Sequence, residues 1–148
     1  MTADQHPDPV AVARYFFDML PHGCRLGIEL VGASHARVQA RLPYRRDLVG
    51  DPGSGHVHGG VLTTLIDQAS GVAAVVAIQP PEAVATLDLR VDHLRAARPG
   101  EALYCSAECY RVTRNVAFVR CTAHDGDEEH PIAVGMGSFM RTGRQVVP

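Results

Sequence analysis

His58 to Ala77 reads HGGVLTTLIDQASGVAAVVA, and this stretch constrains the fold more than any other. A histidine and two glycines open it. A nearly unbroken apolar run follows, carrying one acid, Asp67. The run is too long for an ordinary strand and reads as a helix. A helix that is apolar on nearly every side has no face to give to water, so other elements have to wrap it. A carboxylate in the middle of such a helix needs either a hydrogen-bonding neighbour or a chemical task.

The flanking sequence supplies the wrapping. Residues 1–8 read as frayed. Pro9 to Leu20 has helical apolar spacing, with Asp8 as cap and Pro9 in the first position, and Pro21, His22 and Gly23 end it. Arg25 to Val31 and His35 to Leu42 alternate as a hairpin turning at Gly32 to Ser34. Pro43 to Val57 is a long irregular segment that leads straight into His58. After the central helix, Gln79, Pro80 and Pro81 stop the chain.

Ala83 to Leu94 reads as a strand with Ala85, Leu87, Leu89, Val91 and His93 on one face. Thr86, Asp88, Arg90 and Asp92 fall on the other. A turn at Ala96 to Glu101 precedes a second hairpin, Ala102 to Tyr110 with Val116 to Ala123, around Thr113, Arg114 and Asn115. Asp125 to Glu129 reads as a solvated acidic turn. Ile132 to Met140 is the last strand, and Gly135 and Gly137 share one face, which implies close packing against it. The pattern predicts a single α+β domain over 1–148, an antiparallel sheet wrapped around the long helix. The outer face and edges of that sheet would need cover, which an oligomer supplies.

Composition narrows the function. With a net charge of -2 the chain lacks the basic surface of a nucleic-acid binder. No signal peptide is visible, and no apolar stretch is clean enough to cross a bilayer, so a cytoplasmic protein without a membrane partner is expected. The four cysteines show no CxxC spacing and read as buried reduced thiols rather than a zinc site.

Gly59 and Gly60 begin the helix, where backbone N–H groups are unpaired and the dipole favours negative charge. They can serve as donors to a polarised carbonyl oxygen, or simply let the helix pack tightly. Asp67 lies eight residues after Gly59, roughly 12 Å along a regular helix. A base or nucleophile works within about 3.5 Å of its target. If both residues are catalytic, Gly59 of one chain meets Asp67 of another, and a dimer carries two such sites. The alternative is an acid satisfied by Thr63, Thr64 or Ser70. His56 and His58 lack a Glu or Cys at ligand spacing, so no metal is expected, and His58 can brace the loop instead. A P-loop lysine and a G-x-S-x-G serine are both absent, and no cofactor is implied.

HGGVLTTLIDQASGVAA resembles the central helix of hotdog-fold acyl-CoA thioesterases of the PaaI-like family. TLDLRVDHLRAARPGE, RVTRNVAFVRC and IAVGMGSFM are similar to that family's strands, so the resemblance runs from Arg25 to Met140. It implies a hotdog fold working as a homodimer, often a dimer of dimers, on a coenzyme A thioester. Asp67 matches the helix acid that activates water or attacks the thioester. Gly59 matches the N–H that binds the carbonyl oxygen, with His58 and Gly60 beside it. Thr86 falls near a hydroxyl residue that assists the water. Arg114 matches a basic residue suited to CoA phosphate or pantetheine. One departure is clear: Pro52 stands where many members carry an asparagine, with Asp51 adjacent.

The expected activity is acyl-CoA hydrolysis with a medium-chain or aromatic acyl group, since Leu62, Ile66, Val72 and Val76 suit either. A non-catalytic acyl-CoA binder, which Pro52 keeps open, and a hotdog hydratase or dehydratase pairing His58 with Asp67 are the alternatives.

Overall fold

A computed structural model describes residues 6–146. Of the segment expected to fray, residues 1–5 lie outside the described residues. The first helix, α1 (Pro9–Met19), begins as its sequence predicts. Asp8 accepts a hydrogen bond from the Val10 N–H, and Pro9, which has no N–H to orphan, takes the first position. Pro21 ends α1 but also starts a second helix, α2 (Pro21–Leu26), for the same reason. Gly27 closes it in the left-handed conformation at φ 80°. Leu26 is therefore helical, and the following strand starts later than the alternation implies.

That strand, β1 (Glu29–Ala33), pairs antiparallel with β2 (Arg37–Leu42). Gly32 and Ala33 belong to β1, so the turn is shorter than expected. The segment expected to be irregular holds a 3-10 turn at Arg46–Leu48 and a small hairpin of β3 (Val49–Asp51) and β4 (His56–Val57). The His58 N–H donates to the Leu48 carbonyl at 2.9 Å, which fixes the approach to the central helix.

The central helix, α3 (Gly59–Ala77), buries eleven residues, among them Leu65, Ile66 and Ala69 with no measurable exposure. Its mean hydropathy of 1.5 over a bilayer-length window is enough for a membrane span, against the expectation that no stretch would qualify. Here protein takes the place of lipid. The remaining strands are β5 (Glu82–His93), β6 (Leu103–Val112), β7 (Val116–His124) and β8 (Ala133–Gln145). They form one antiparallel sheet in the order β1-β2-β6-β7-β8-β5. Strands β2, β5, β6, β7 and β8 all contact α3, and α1 packs on it from the other side. β8 runs past the expected Met140 because Arg141 and Gln145 still find partners at the start of β5.

Gly135 lies beneath Ile66 of α3. A Cβ there would meet Cys121 Sγ at 2.7 Å and both Ile66 Cγ2 and the Arg90 carbonyl at 3.3 Å. The expected close packing at this position is therefore against α3. Gly135→Ala should lower stability by about 1–3 kcal/mol through overpacking. A lower denaturant midpoint at unchanged m-value is the check.

The acidic turn differs from its expectation. Asp127, Glu128 and Glu129 are exposed, but Asp125 is 1% exposed. Arg95 grips its carboxylate with two N–H bonds at 2.8 and 2.9 Å, and the Arg98 backbone N–H adds a third at 2.9 Å. These contacts hold the Asp125 carboxyl well below the usual carboxylate range, with the Arg95 guanidinium as the largest cause. A run of acids looks uniformly solvated in one dimension, but folding carries its first member under the arginines of the β5–β6 loop.

Candidate active site

Strand alternation alone points Thr86 away from Leu89, Val91 and His93. The structure reverses this. The pairing of β5 with β8 slips between Thr86 and Asp88, so Thr86 lies opposite Phe139, and Leu89 and Val91 lie opposite Gly137 and Gly135. Phe139, Gly137 and Gly135 are, with Ala133, the buried residues of β8. One extra residue, Leu87, is thus spent in a bulge and left 56% exposed. Ala85 moves to the outer face and Thr86 turns toward α3.

The result is a direct contact. The Thr86 hydroxyl donates to Asp67 Oδ1 at 2.9 Å. Two of the helix's hydroxyls are engaged elsewhere: Thr63 and Thr64 donate to the carbonyls of Gly59 and Gly60. Asp67 therefore takes its partner from the sheet, not from its own helix. Both residues line a cavity of about 170 Å³ whose walls are Phe16, Leu20, Val72, Val75, Val84 and Phe139. Of the residues expected to shape an acyl pocket, only Val72 does so. Ile66 and Val76 are core, and Leu62 lines a different cleft. The α1 wall and Gln68 were not foreseen, since nothing in one dimension ties Phe16 or Leu20 to Asp67. A larger depression of about 360 Å³ lies on the outer face among ion-paired Arg37, Glu108 and Arg120, away from Asp67.

At the start of α3, His58 is the cap. Its Nδ1 accepts from the Gly60 N–H at 2.9 Å. That bond occupies Gly60 and leaves the Gly59 N–H without a partner among the described residues. Gly60 serves by being small: a Cβ there would meet His58 Nδ1 at 3.0 Å. Gly59 opens on a separate cleft of about 300 Å³, shared with Val57, Leu62, His93, Leu94 and Arg95. Sequence alternation marks His93 only as a strand residue, yet its Cε1 lies 3.6 Å from where a Gly59 Cβ would sit. Asp67 and Gly59 therefore line two different cavities of one chain.

Arg114 is exposed in the β6–β7 turn, and Arg141 braces that turn by donating to the Thr113 carbonyl at 3.0 Å. Asp51 uses its carboxylate on its own turn, accepting from the Gly53 N–H at 3.1 Å. Among the described residues no three His, Cys, Asp or Glu side chains converge as a metal site would require.

The thioesterase superfamily model matches residues 54–132, which hold Gly59, Asp67 and Thr86. The chain belongs to the thioesterase superfamily. This thioesterase is 38% identical to a Halobacterium salinarum protein named as an esterase, over 94% of this chain and 96% of the other. It is 28% identical to the medium/long-chain acyl-CoA thioesterase YigI of Escherichia coli, over 87% and 90% of the two chains. A solved Pseudomonas aeruginosa protein, 42% identical, superposes with a TM-score of 0.82 over 90% of this chain and 99% of its own. Escherichia coli PaaI, at 18% identity, shares the fold with a TM-score of 0.82 over 93% and 95%. The hotdog architecture expected from the sequence is thus the one observed, and thioester hydrolysis is the class of reaction to which the chain belongs.

Proposed function

We propose that this thioesterase hydrolyses acyl-CoA thioesters with a medium-chain or aromatic acyl group, at two sites shared between the subunits of a homodimer. The observation that carries the reading is the Thr86–Asp67 hydrogen bond at an apolar slot, with the Gly59 N–H unpartnered elsewhere. The acyl group enters the slot and places its carbonyl carbon beside Asp67. Thr86 fixes the carboxylate's orientation. Water adds to the carbonyl carbon as its proton passes to Asp67, or Asp67 itself attacks and the acyl-enzyme is then hydrolysed. The oxygen that gains charge accepts from the partner subunit's Gly59 N–H, an orphan donor at a helix start. Collapse expels the CoA thiolate, which takes up a proton. Arg114 meets a CoA phosphate from the rim.

The two-subunit arrangement rests on geometry. α3 is regular from Gly59 to Ala77, so the roughly 12 Å between Gly59 and Asp67 stands within one chain. β5 offers the means of pairing. It is a twelve-residue edge strand without proline, with Leu87 exposed at its middle. Such an edge invites a second copy. Exposed Tyr110, Met136 and Met140 suit a further contact between dimers. Cys24 is exposed, against the expectation that all four thiols are buried, and the three buried ones, Cys105, Cys109 and Cys121, fit a reducing cytoplasm.

His58 uses Nδ1 on Gly60, and Asp67 is nine residues away, so one chain does not form the His–acid pair of a hydratase. Pro52 provides no side-chain donor, and Thr86 takes over the orienting task in this reading.

Thiol release from a panel of acyl-CoAs tests the activity, and stoichiometric binding without release would make the protein a binder instead. Mixing subunits tests the shared site. Gly59→Pro removes the N–H at a position where proline fits a helix. Mixed with Asp67→Asn, it should recover roughly a quarter of wild-type activity, one intact site in each heterodimer. No recovery on subunit exchange would place both residues in one chain's site.

A further inference from the structure

The slot beside Asp67 holds one polar side chain that hydrolysis does not use. Gln68 is 8% exposed, and its Nε2 is fully buried without a hydrogen-bond partner. Buried amides are almost always paired, and this unpaired one belongs to a side chain that lines the slot. Space is kept for this group. A Cβ on Gly23 of α2 would lie 2.1 Å from the Gln68 oxygen. The other polar residues of the slot, Asp67 and Thr86, are bonded to each other. Methionine or leucine at position 68 would fill the same wall without stranding an amide.

We propose that Gln68 reads a hydroxyl or keto oxygen on the acyl group, so that this enzyme prefers oxygenated acyl-CoA thioesters to hydrocarbon ones of equal length. The inference rests on the thioesterase reading and deepens it. Gln68 follows Asp67 on α3, about 100° further round the helix, and so meets the acyl portion rather than the thioester carbonyl. A cavity of about 150 Å³ holds a benzene ring, so about 170 Å³ admits roughly six to eight non-hydrogen atoms. The oxygen therefore lies within that distance of the carbonyl. A hydroxyl both donates and accepts, and bonds the carboxamide in either of its orientations. Six of the slot's residues are apolar and reward the carbon portion of the same acyl group.

The test compares hexanoyl-CoA with its 5-hydroxy, 6-hydroxy and 5-oxo derivatives by thiol release. Wild type should show kcat/KM about tenfold higher for the best oxygenated member, the worth of one hydrogen bond. Gln68→Met, close in length and volume, should bring that ratio to within about twofold. A purely structural Gln68 would alter stability and all four substrates together, leaving the ratio unmoved. A wild-type ratio near one, or an unchanged ratio in the variant, overturns the proposal. If wild type releases thiol from none of the four, the thioesterase reading fails by itself. Equilibrium binding of the same four compounds to wild type and Gln68→Met then decides, and equal affinities overturn the role of Gln68.

Discussion

Asp67→Asn is expected to lower kcat for acyl-CoA hydrolysis by about a thousandfold, within the range for loss of a general base or nucleophile. The fold should not change. Asparagine has the same shape and keeps an oxygen that can accept the Thr86 hydroxyl at the present 2.9 Å. What it loses is the capacity to take a proton or attack a carbonyl. Because its recorded partner, the Thr86 hydroxyl, is uncharged, neutralising Asp67 does not strand a charge. Thiol-release kinetics, with thermal unfolding measured on the same sample, separate chemistry from folding. Undiminished turnover in a folded Asp67→Asn protein would remove this residue from the reaction.

The second large effect is on stability. Asp125→Asn should destabilise the protein by about 2–3 kcal/mol at neutral pH. Losing one partner of a fully buried pair costs about 3–5 kcal/mol. Solvent around the guanidiniums of Arg95 and Arg98, 33% and 58% exposed, reduces that figure. The pH dependence has a definite sign. The folded carboxyl titrates below its unfolded value, so its contribution is complete above the unfolded aspartate range near pH 4. It is lost as pH falls from there toward the folded value. Wild type and variant should therefore converge in acid, and denaturant titrations at pH 7 and below pH 4 measure the gap. The same loop walls the Gly59 cleft through Leu94 and Arg95, so kcat/KM should fall as well. Equal stability of the two proteins at pH 7 would show that the arginine clamp contributes nothing net.

Much of this molecule is local in origin and was legible in one dimension. Asp8 and Pro9 start α1 because caps act on adjacent backbone groups. His58 to Ala77 could only be a wrapped helix, since an all-round apolar surface has no stable exposed form. The small residue at Gly135 marks the close approach that Ile66 makes, whereas Gly137 makes room for Phe139 and Leu89. The separation of Gly59 from Asp67 followed from helical rise alone. Of the four segments that carry the likeness to the hotdog thioesterases, three lie within the family match, and IAVGMGSFM runs beyond it.

The rest depends on contacts between residues distant in sequence. A bulge is set by the register between β5 and β8, which alternation within β5 cannot reveal, and it alone turns Thr86 toward Asp67. Asp125 is buried because Arg95 and Arg98, about thirty residues away, close over it. Gln68 is left unpaired because α2 packs its glycine against that face of α3. Sequence by itself determined the helix, its wrapping and the acid at its centre, since these follow from periodicity and the cost of exposing apolar surface. Only the tertiary structure decided which groups face that acid, because facing is a property of register and packing between elements.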